Sequence, residues 1–218
     1  MAKRFDLIVF DWDGTLMDSA AIIVSSVQAA ARDLGLESPS DERARHIIGL
    51  GLDDALRYVL PNLPHERYGE LAARYRHHYL SQDHVLSLFS GVEEMLDSLR
   101  DAGYWLAVAT GKSRLGLDRA LEVSGLGSYF HSTRCADECF SKPHPQMLEE
   151  LMDEFGVDGD GALMIGDTSH DVQMAHNARV AAVAVTYGAH PRSGLEALLP
   201  LGCVDTVEEL VAWLKQNG

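Results

Sequence analysis

Four short runs of almost uninterrupted apolar residues constrain the fold of this 218-residue chain more than any other feature. An unbroken apolar run predicts a strand that is buried on both faces, as in a parallel sheet covered by helices. Helix-period stretches separate the runs, which is the βαβα order of a doubly wound, Rossmann-like α/β fold with a parallel sheet. The predicted strands are Asp6–Phe10, Trp105–Ala109, Ala162–Ile165 and Val180–Val185.

The first interval between predicted strands is far longer than the others. It holds roughly 90 residues, whereas a crossover helix with its loops needs only a dozen or more. We therefore predict an α/β core domain of residues 1–17 and 88–218 with an inserted α-helical domain, residues 18–87, which we call the cap. The helices predicted in the cap are 19–34, 52–60 and 65–81.

Charge and composition exclude several classes of partner. The chain has 33 acidic and 18 basic residues and a formal net charge of −15, which disfavours nucleic acids and anionic membrane surfaces. Its 3 cysteines are an odd number, which favours a reducing cytoplasm over a disulfide scaffold. The apolar run near the start is too short for a signal peptide or a membrane span. Nothing in the sequence indicates the oligomeric state.

Carboxylates follow two of the predicted strands directly. Asp11 and Asp13 come after the first strand, and Asp167 and Asp171 come after the third. Ligands of open parallel sheets bind beyond the carboxyl ends of the strands, so these side chains are expected to meet at one edge. Four carboxylates at one edge repel each other unless a cation lies between them, and an oxygen-only set suits Mg²⁺.

Neutral and positive groups are expected at the same edge. Thr110, Gly111 and Lys112 follow the second strand, and Lys142 precedes the helix before the third. A metal ion, a lysine, a hydroxyl and a backbone amide together make a site for a phosphoryl group. One aspartate of the first pair can then act as a nucleophile that forms an aspartyl-phosphate, and the other as a general acid and base.

The sequence resembles the haloacid dehalogenase superfamily of phosphohydrolases along its whole length, and within it the phosphoglycolate phosphatase-like members. DWDGTLMDS matches the first motif of the superfamily, the strand ending in AVATGK the second, SKPHP the lysine motif and GDTSHD the fourth. The resemblance implies that residues 18–87 are a mobile cap. It implies the following roles: Asp11 as nucleophile, Asp13 as acid and base, Thr110 and Lys142 as phosphate ligands, Mg²⁺ on Asp11, Asp167 and the Asp13 backbone carbonyl, and Asp171 supporting the metal or Lys142.

Two features at the start of the cap and within it have open interpretations. Arg45, His46 and the turn Gly49–Leu50–Gly51 could dip into the site and bind substrate, or the turn could simply join two helices. Asp18 and Ser19 are better explained as caps of the first cap helix than as site residues.

The function predicted from these features is a Mg²⁺-dependent phosphomonoesterase acting on a small phosphorylated metabolite, with phosphoglycolate as the first choice by resemblance. A phosphomutase of the β-phosphoglucomutase type is the main alternative, since it shares all four motifs. Pyrophosphate, nucleotides and sugar phosphates also remain open as substrates. A non-catalytic binding protein is disfavoured because the whole set of reactive residues is intact.

Overall fold

A parallel six-stranded sheet forms the centre of the computed structural model, which describes residues 3–82 and 85–218. The strands are β1 (Leu7–Phe10), β2 (Trp105–Thr110), β3 (Ser132–Cys135), β4 (Ala162–Gly166), β5 (Ala181–Val185) and β6 (Gly202–Val204). Their order across the sheet is β3-β2-β1-β4-β5-β6, so β1 lies between β2 and β4. The doubly wound α/β fold predicted from the apolar runs is confirmed.

Helices cover both faces of the sheet and form the cap. They are α1 (Ala20–Asp33), α2 (Asp41–His46), α3 (Leu52–Val59), α4 (Tyr68–Leu80), α5 (Val92–Asp101), α6 (Arg114–Ser124), α7 (Gln146–Phe155), α8 (Ser169–Asn177), α9 (Arg192–Glu196) and α10 (Val207–Asn217). None of those helices combines the length and the apolar character that crossing a bilayer requires.

The central strand shows why its sequence is apolar without interruption. Ile8 and Phe10 point to a cluster that contains residues of α5, α6 and α10. Leu7 and Val9 point to the opposite cluster, which contains residues of α7 and α8. Both faces of β1 are therefore dry, and a polar residue on either face would be buried without solvent.

The cap helices α1–α4 pack around an apolar cluster of their own, and two neighbouring segments connect them to the core. The backbone N–H of Asp18 donates to Ser87 O at 2.9 Å, and that of Phe89 donates to Leu16 O at 3.0 Å. The cap cluster includes Val24, Val27, Ala30, Ile48, Leu56 and Leu71.

Two strands and two helices have no sequence pattern that predicts them, and one of these helices, α9, has only five residues. β3 is an edge strand whose Arg134 pairs with Glu150 at 2.8 Å and Glu154 at 2.9 Å, so its pattern is polar. β6 has only three residues. The polar helix α2 begins at a Ser40 cap, whose hydroxyl accepts from the Arg43 N–H at 3.3 Å.

Candidate active site

The residues predicted at the ends of β1, β2 and β4 lie together and are withdrawn from solvent. Asp11 and Asp167 directly follow their strands, Thr110 ends β2, and parallel strands end at the same edge. Asp13 lies three residues after β1, and Asp171 lies in the first turn of α8. Lys142 comes to this edge from the loop before α7. The exposed fractions are 0% for Asp11, Thr110, Asp167 and Asp171, 2% for Lys142 and 7% for Asp13.

Lys142 is clamped between two carboxylates of the core. Its Nζ lies 2.7 Å from Asp11 Oδ1 and 2.6 Å from Asp171 Oδ1. The other oxygen of Asp171, Oδ2, accepts from the backbone N–H of Thr168 at 3.0 Å and from its hydroxyl at 2.6 Å. The bond from the Thr168 N–H, together with the one that the Asp171 N–H donates to the Thr168 hydroxyl at 3.3 Å, forms the capping box of α8. The start of that helix therefore fixes Asp171, and Asp171 holds Lys142 against Asp11.

Asp167 is held from both sides by neutral donors. The hydroxyl of Thr15 donates to its Oδ1 at 2.9 Å, and the backbone N–H of Ala189 donates to its Oδ2 at 2.7 Å. Gly14 and Gly188 approach the same carboxylate, because a Cβ built on either would lie 2.2 or 2.3 Å from Oδ2. Gly14 also has a φ of +84°, where a side chain would be strained.

The buried carboxylates fit a divalent cation. Asp11, Asp167 and Asp171 each offer an oxygen, and these oxygens all lie within 4.8 Å of one another. Burial raises the pKa of Asp11 to about 7 although Lys142 opposes the shift, and burial followed by the neighbouring carboxylates raises that of Asp167 well above its usual value. Asp11 Oδ2 is buried and has no hydrogen-bond partner among the described residues. A bound Mg²⁺ would supply the missing partner and compensate the negative charge.

Asp13 belongs to a second cluster that joins the core to the cap. Its Oδ1 accepts from the hydroxyl of Ser19 at 2.7 Å, and its Oδ2 lies 3.1 Å from Lys112 Nζ. Lys112 Nζ in turn donates to the hydroxyl of Tyr79, on cap helix α4, at 2.9 Å. The expected capping role of Ser19 is wrong: it stands before α1, but its side chain makes no capping bond and serves Asp13 instead.

The cap turn reaches this edge of the sheet through backbone atoms. A Cβ built on Gly111 would lie 2.4 Å from Leu50 O and 2.6 Å from Gly49 O, so only a glycine admits the turn. The N–H of Gly51 donates to the Ser141 hydroxyl, next to Lys142, at 2.8 Å. The turn borders a cleft of about 1370 Å³ between cap and core, which Asp13, Gly111 and Lys112 also line. Asp11, Thr110, Lys142 and Asp167 are not among the residues that line it.

Comparison with known proteins identifies the family. The family model of haloacid dehalogenase-like hydrolases matches residues 8–185. The chain belongs to this family. This haloacid dehalogenase-like hydrolase is 39% identical to the probable phosphatase IndB of Dickeya dadantii (strain 3937), over 94% of this chain and 91% of that protein. It is 31% identical to a phosphoglycolate phosphatase of Vibrio parahaemolyticus serotype O3:K6 (strain RIMD 2210633), over 94% of each chain. A crystal structure described as a predicted phosphoglycolate phosphatase from Haemophilus somnus 129pt matches with a TM-score of 0.85 at 26% identity, covering 97% of this chain and 99% of that one.

Arg45 is the predicted residue that the hydrolase does not bring to the others. Its side chain is exposed on α2 and is not among those that line the cleft.

His46, the neighbour of Arg45, contacts the core through its backbone carbonyl oxygen. His170 Nε2 lies 2.7 Å and His190 Nε2 lies 3.3 Å from that oxygen. The Ser169 N–H donates to His190 Nδ1 at 3.0 Å, so the proton of that ring is on Nε2, where it faces the cap.

Two residues that hold this site, Thr15 and Tyr79, were not singled out by sequence reasoning. Thr15 lies two residues from Asp13, and that proximity was a usable signal. Lys112 was noted after the second strand but was given no role, and Ser19 was interpreted as a helix cap. Tyr79 lies on a cap helix far along the chain from Asp13, and no spacing or motif indicates that the two approach each other.

Proposed function

We propose that this protein is a Mg²⁺-dependent phosphomonoesterase that hydrolyses a small phosphorylated metabolite through an aspartyl-phosphate on Asp11. The observation that carries the proposal is the state of Asp11. It is fully buried, lies 2.7 Å from the Lys142 ammonium, and has an oxygen with no hydrogen-bond partner in the described part of the chain. A buried carboxylate with an unpaired oxygen at the end of a central strand is a group placed to react or to bind a cation.

The metal site would use part of the acidic cluster. Mg²⁺ would be held by the carboxylates of Asp11 and Asp167 and by the backbone carbonyl of Asp13, and it would neutralise charge on the phosphoryl oxygens. Asp171 already contacts Lys142 with one oxygen and Thr168 with the other. We assign it to positioning Lys142.

The reaction would proceed in two displacements at phosphorus. In the first, a carboxylate oxygen of Asp11 attacks the phosphorus, the ester P–O bond breaks, and Asp13 gives a proton to the leaving oxygen. In the second, water attacks the phosphorus, Asp13 takes a proton from that water, and the bond to Asp11 breaks to release phosphate. Lys142, the Thr110 hydroxyl and the Gly111 amide would bind the phosphoryl oxygens.

We base the proposed substrate class on the relatives and on the position of the cap over the strand ends. Relatives that match 94% of this chain are named phosphatases, one of them a phosphoglycolate phosphatase. The cap covers the strand ends and excludes bulk water, which suits a metabolite small enough to be enclosed. We propose 2-phosphoglycolate as the first substrate to test and the cytoplasm as the site of action.

The test is phosphate release from 2-phosphoglycolate, a sugar phosphate, a nucleotide and pyrophosphate, with Mg²⁺ or with EDTA. Wild type should release phosphate only with Mg²⁺, and Asp11→Asn should release none because an amide is not a nucleophile. Asp101→Asn, an exposed position on α5, is the matched control and should keep full activity. Full activity in Asp11→Asn would refute the covalent mechanism. Isomerisation of a sugar phosphate that needs a bisphosphate primer would indicate a phosphomutase instead.

A further inference from the structure

A second buried lysine stands where the leaving group of a phosphate ester would lie. The side chain of Lys112 is only 11% exposed, and its Nζ lies 3.1 Å from Asp13 Oδ2 and 2.9 Å from the Tyr79 hydroxyl. The same Nζ lies 4.7 Å from the centre of the Tyr79 ring. Core and cap therefore meet at this ammonium.

Lys112 remains a cation in this environment. Burial would lower the pKa of Lys112, but Asp13 and Tyr79 outweigh burial and the pKa is raised above its usual value. An ammonium has three N–H donors, and the contacts with Asp13 and Tyr79 use two of them. Lys112, Asp13 and Tyr79 all line the cleft, so the third donor is available to a molecule bound there.

The distance from the reacting centre limits what that molecule can be. As the general acid, Asp13 has to come within about 3 Å of the leaving oxygen. Lys112 Nζ lies 3.1 Å from Asp13 Oδ2, so it can contact an anionic group one methylene away from the leaving oxygen.

The present partners of Lys112 point to the same class of ligand. Among the described residues, no carboxylate other than Asp13 lies within salt-bridge distance of Lys112 Nζ. A carboxylate on the leaving group would give this buried ammonium a second anionic partner through its remaining N–H donor.

We propose that Lys112 and Tyr79 form a binding site for a carboxylate on the leaving group, which selects phosphate esters of α-hydroxy carboxylic acids. The proposal rests on the proposed phosphatase function and assigns its specificity to one residue of the core and one of the cap.

The test compares two esters of equal length, 2-phosphoglycolate and the neutral 2-hydroxyethyl phosphate. Wild type should prefer 2-phosphoglycolate in kcat/KM. In Lys112→Met this preference should fall about 10- to 100-fold, mainly through KM, as expected for losing a hydrogen bond to a charged group. Lys112→Arg should restore part of the preference. Arg76→Met removes a charge from an exposed side chain of the same cleft and should leave the preference unchanged.

Equal losses for both esters in Lys112→Met, through kcat, would overturn the proposal and assign Lys112 to the positioning of Asp13. Calorimetric titration with glycolate, the expected product, separates this result from failure of the phosphatase function. If wild type hydrolyses neither ester but binds glycolate in a Lys112-dependent way, the carboxylate site stands and the phosphatase function falls. If glycolate does not bind and neither ester is cleaved, both proposals fall.

Discussion

Lys142 and Lys112 stand beside the two aspartates of one motif, but they are held in different ways. Lys142 is completely buried between Asp11 and Asp171, so its partners all belong to the core. Lys112 is slightly exposed, and its partners are Asp13 of the core and a tyrosine of the cap. The half of the site that would form the phosphoryl intermediate is thus complete within the core, whereas the half that faces the leaving group depends on the position of the cap.

Replacing each lysine by methionine should show the largest difference between the two halves of the site. Lys142→Met leaves two buried carboxylates unpaired, so kcat should fall about 10²- to 10³-fold for every ester, and the free energy of unfolding by about 3–5 kcal/mol. Lys112→Met leaves only one carboxylate, Asp13, without its cation, and Asp13 keeps the bond from the Ser19 hydroxyl, so the free energy of unfolding should fall by less, about 1–3 kcal/mol. Initial rates and urea unfolding measure both effects. Equal destabilisation by the two exchanges would show that the two lysines are held alike.

Asp167→Asn should separate the metal site from the acid. Asparagine can accept from the Ala189 N–H and donate to the Thr15 hydroxyl, and it removes one of three crowded charges, so the Tm without metal should stay the same or rise. The stabilisation by Mg²⁺, about 2.7 kcal/mol at 100 times Kd for wild type, should disappear. Asp13→Asn should keep this stabilisation, because we assign Asp13 to the metal through its backbone carbonyl. Thermal unfolding with and without Mg²⁺ measures these effects. If Mg²⁺ stabilises Asp167→Asn as much as wild type, Asp167 is not a ligand of the metal.

Gly111→Ala should affect the cap-dependent half while leaving the core intact. The new Cβ would collide with the carbonyl oxygens of Gly49 and Leu50 and hold the cap turn away from the strand end. We expect kcat/KM to fall about tenfold, within the range that overpacking of about 1–3 kcal/mol implies. Stabilisation by Mg²⁺ should not change. Gly127→Ala, where the nearest atom lies 3.9 Å from the built Cβ, is the control. Wild-type kinetics in Gly111→Ala would show that the turn does not need to lie this close.

The core could be predicted from the sequence because topology fixes it. A strand that is dry on both faces has to be apolar throughout, so β1, β2, β4 and β5 can be found from composition alone. The residues after such strands meet at one edge whatever the details of packing, which is why Asp11, Thr110 and Asp167 were predicted together. β3 and β6 escaped because an edge strand is only partly buried and can be polar or short.

The contacts between the cap and the site could not be predicted, because they depend on how the cap packs against the core. The approach of Tyr79 to Lys112 follows from the packing of α4 on α1 and of the cap on the core, which no local pattern records. Arg45 was placed in the site by its nearness to a glycine-rich turn, but the helix directs its side chain outward. Ser19 satisfied a helix-cap pattern and a carboxylate equally well in sequence, and its actual partner, Asp13, depends on the fold around it.

The two chain segments that connect the core to the cap lie side by side, and this bears on how enzymes of this family can evolve. Leu16 and Phe89 share a backbone hydrogen bond, as do Asp18 and Ser87. The chain therefore leaves the core and returns to it at two adjacent positions. The segment between these two points can therefore change in length or sequence without moving the strands of the sheet. Changes in this segment can alter which esters are bound, while the residues at the strand ends stay the same.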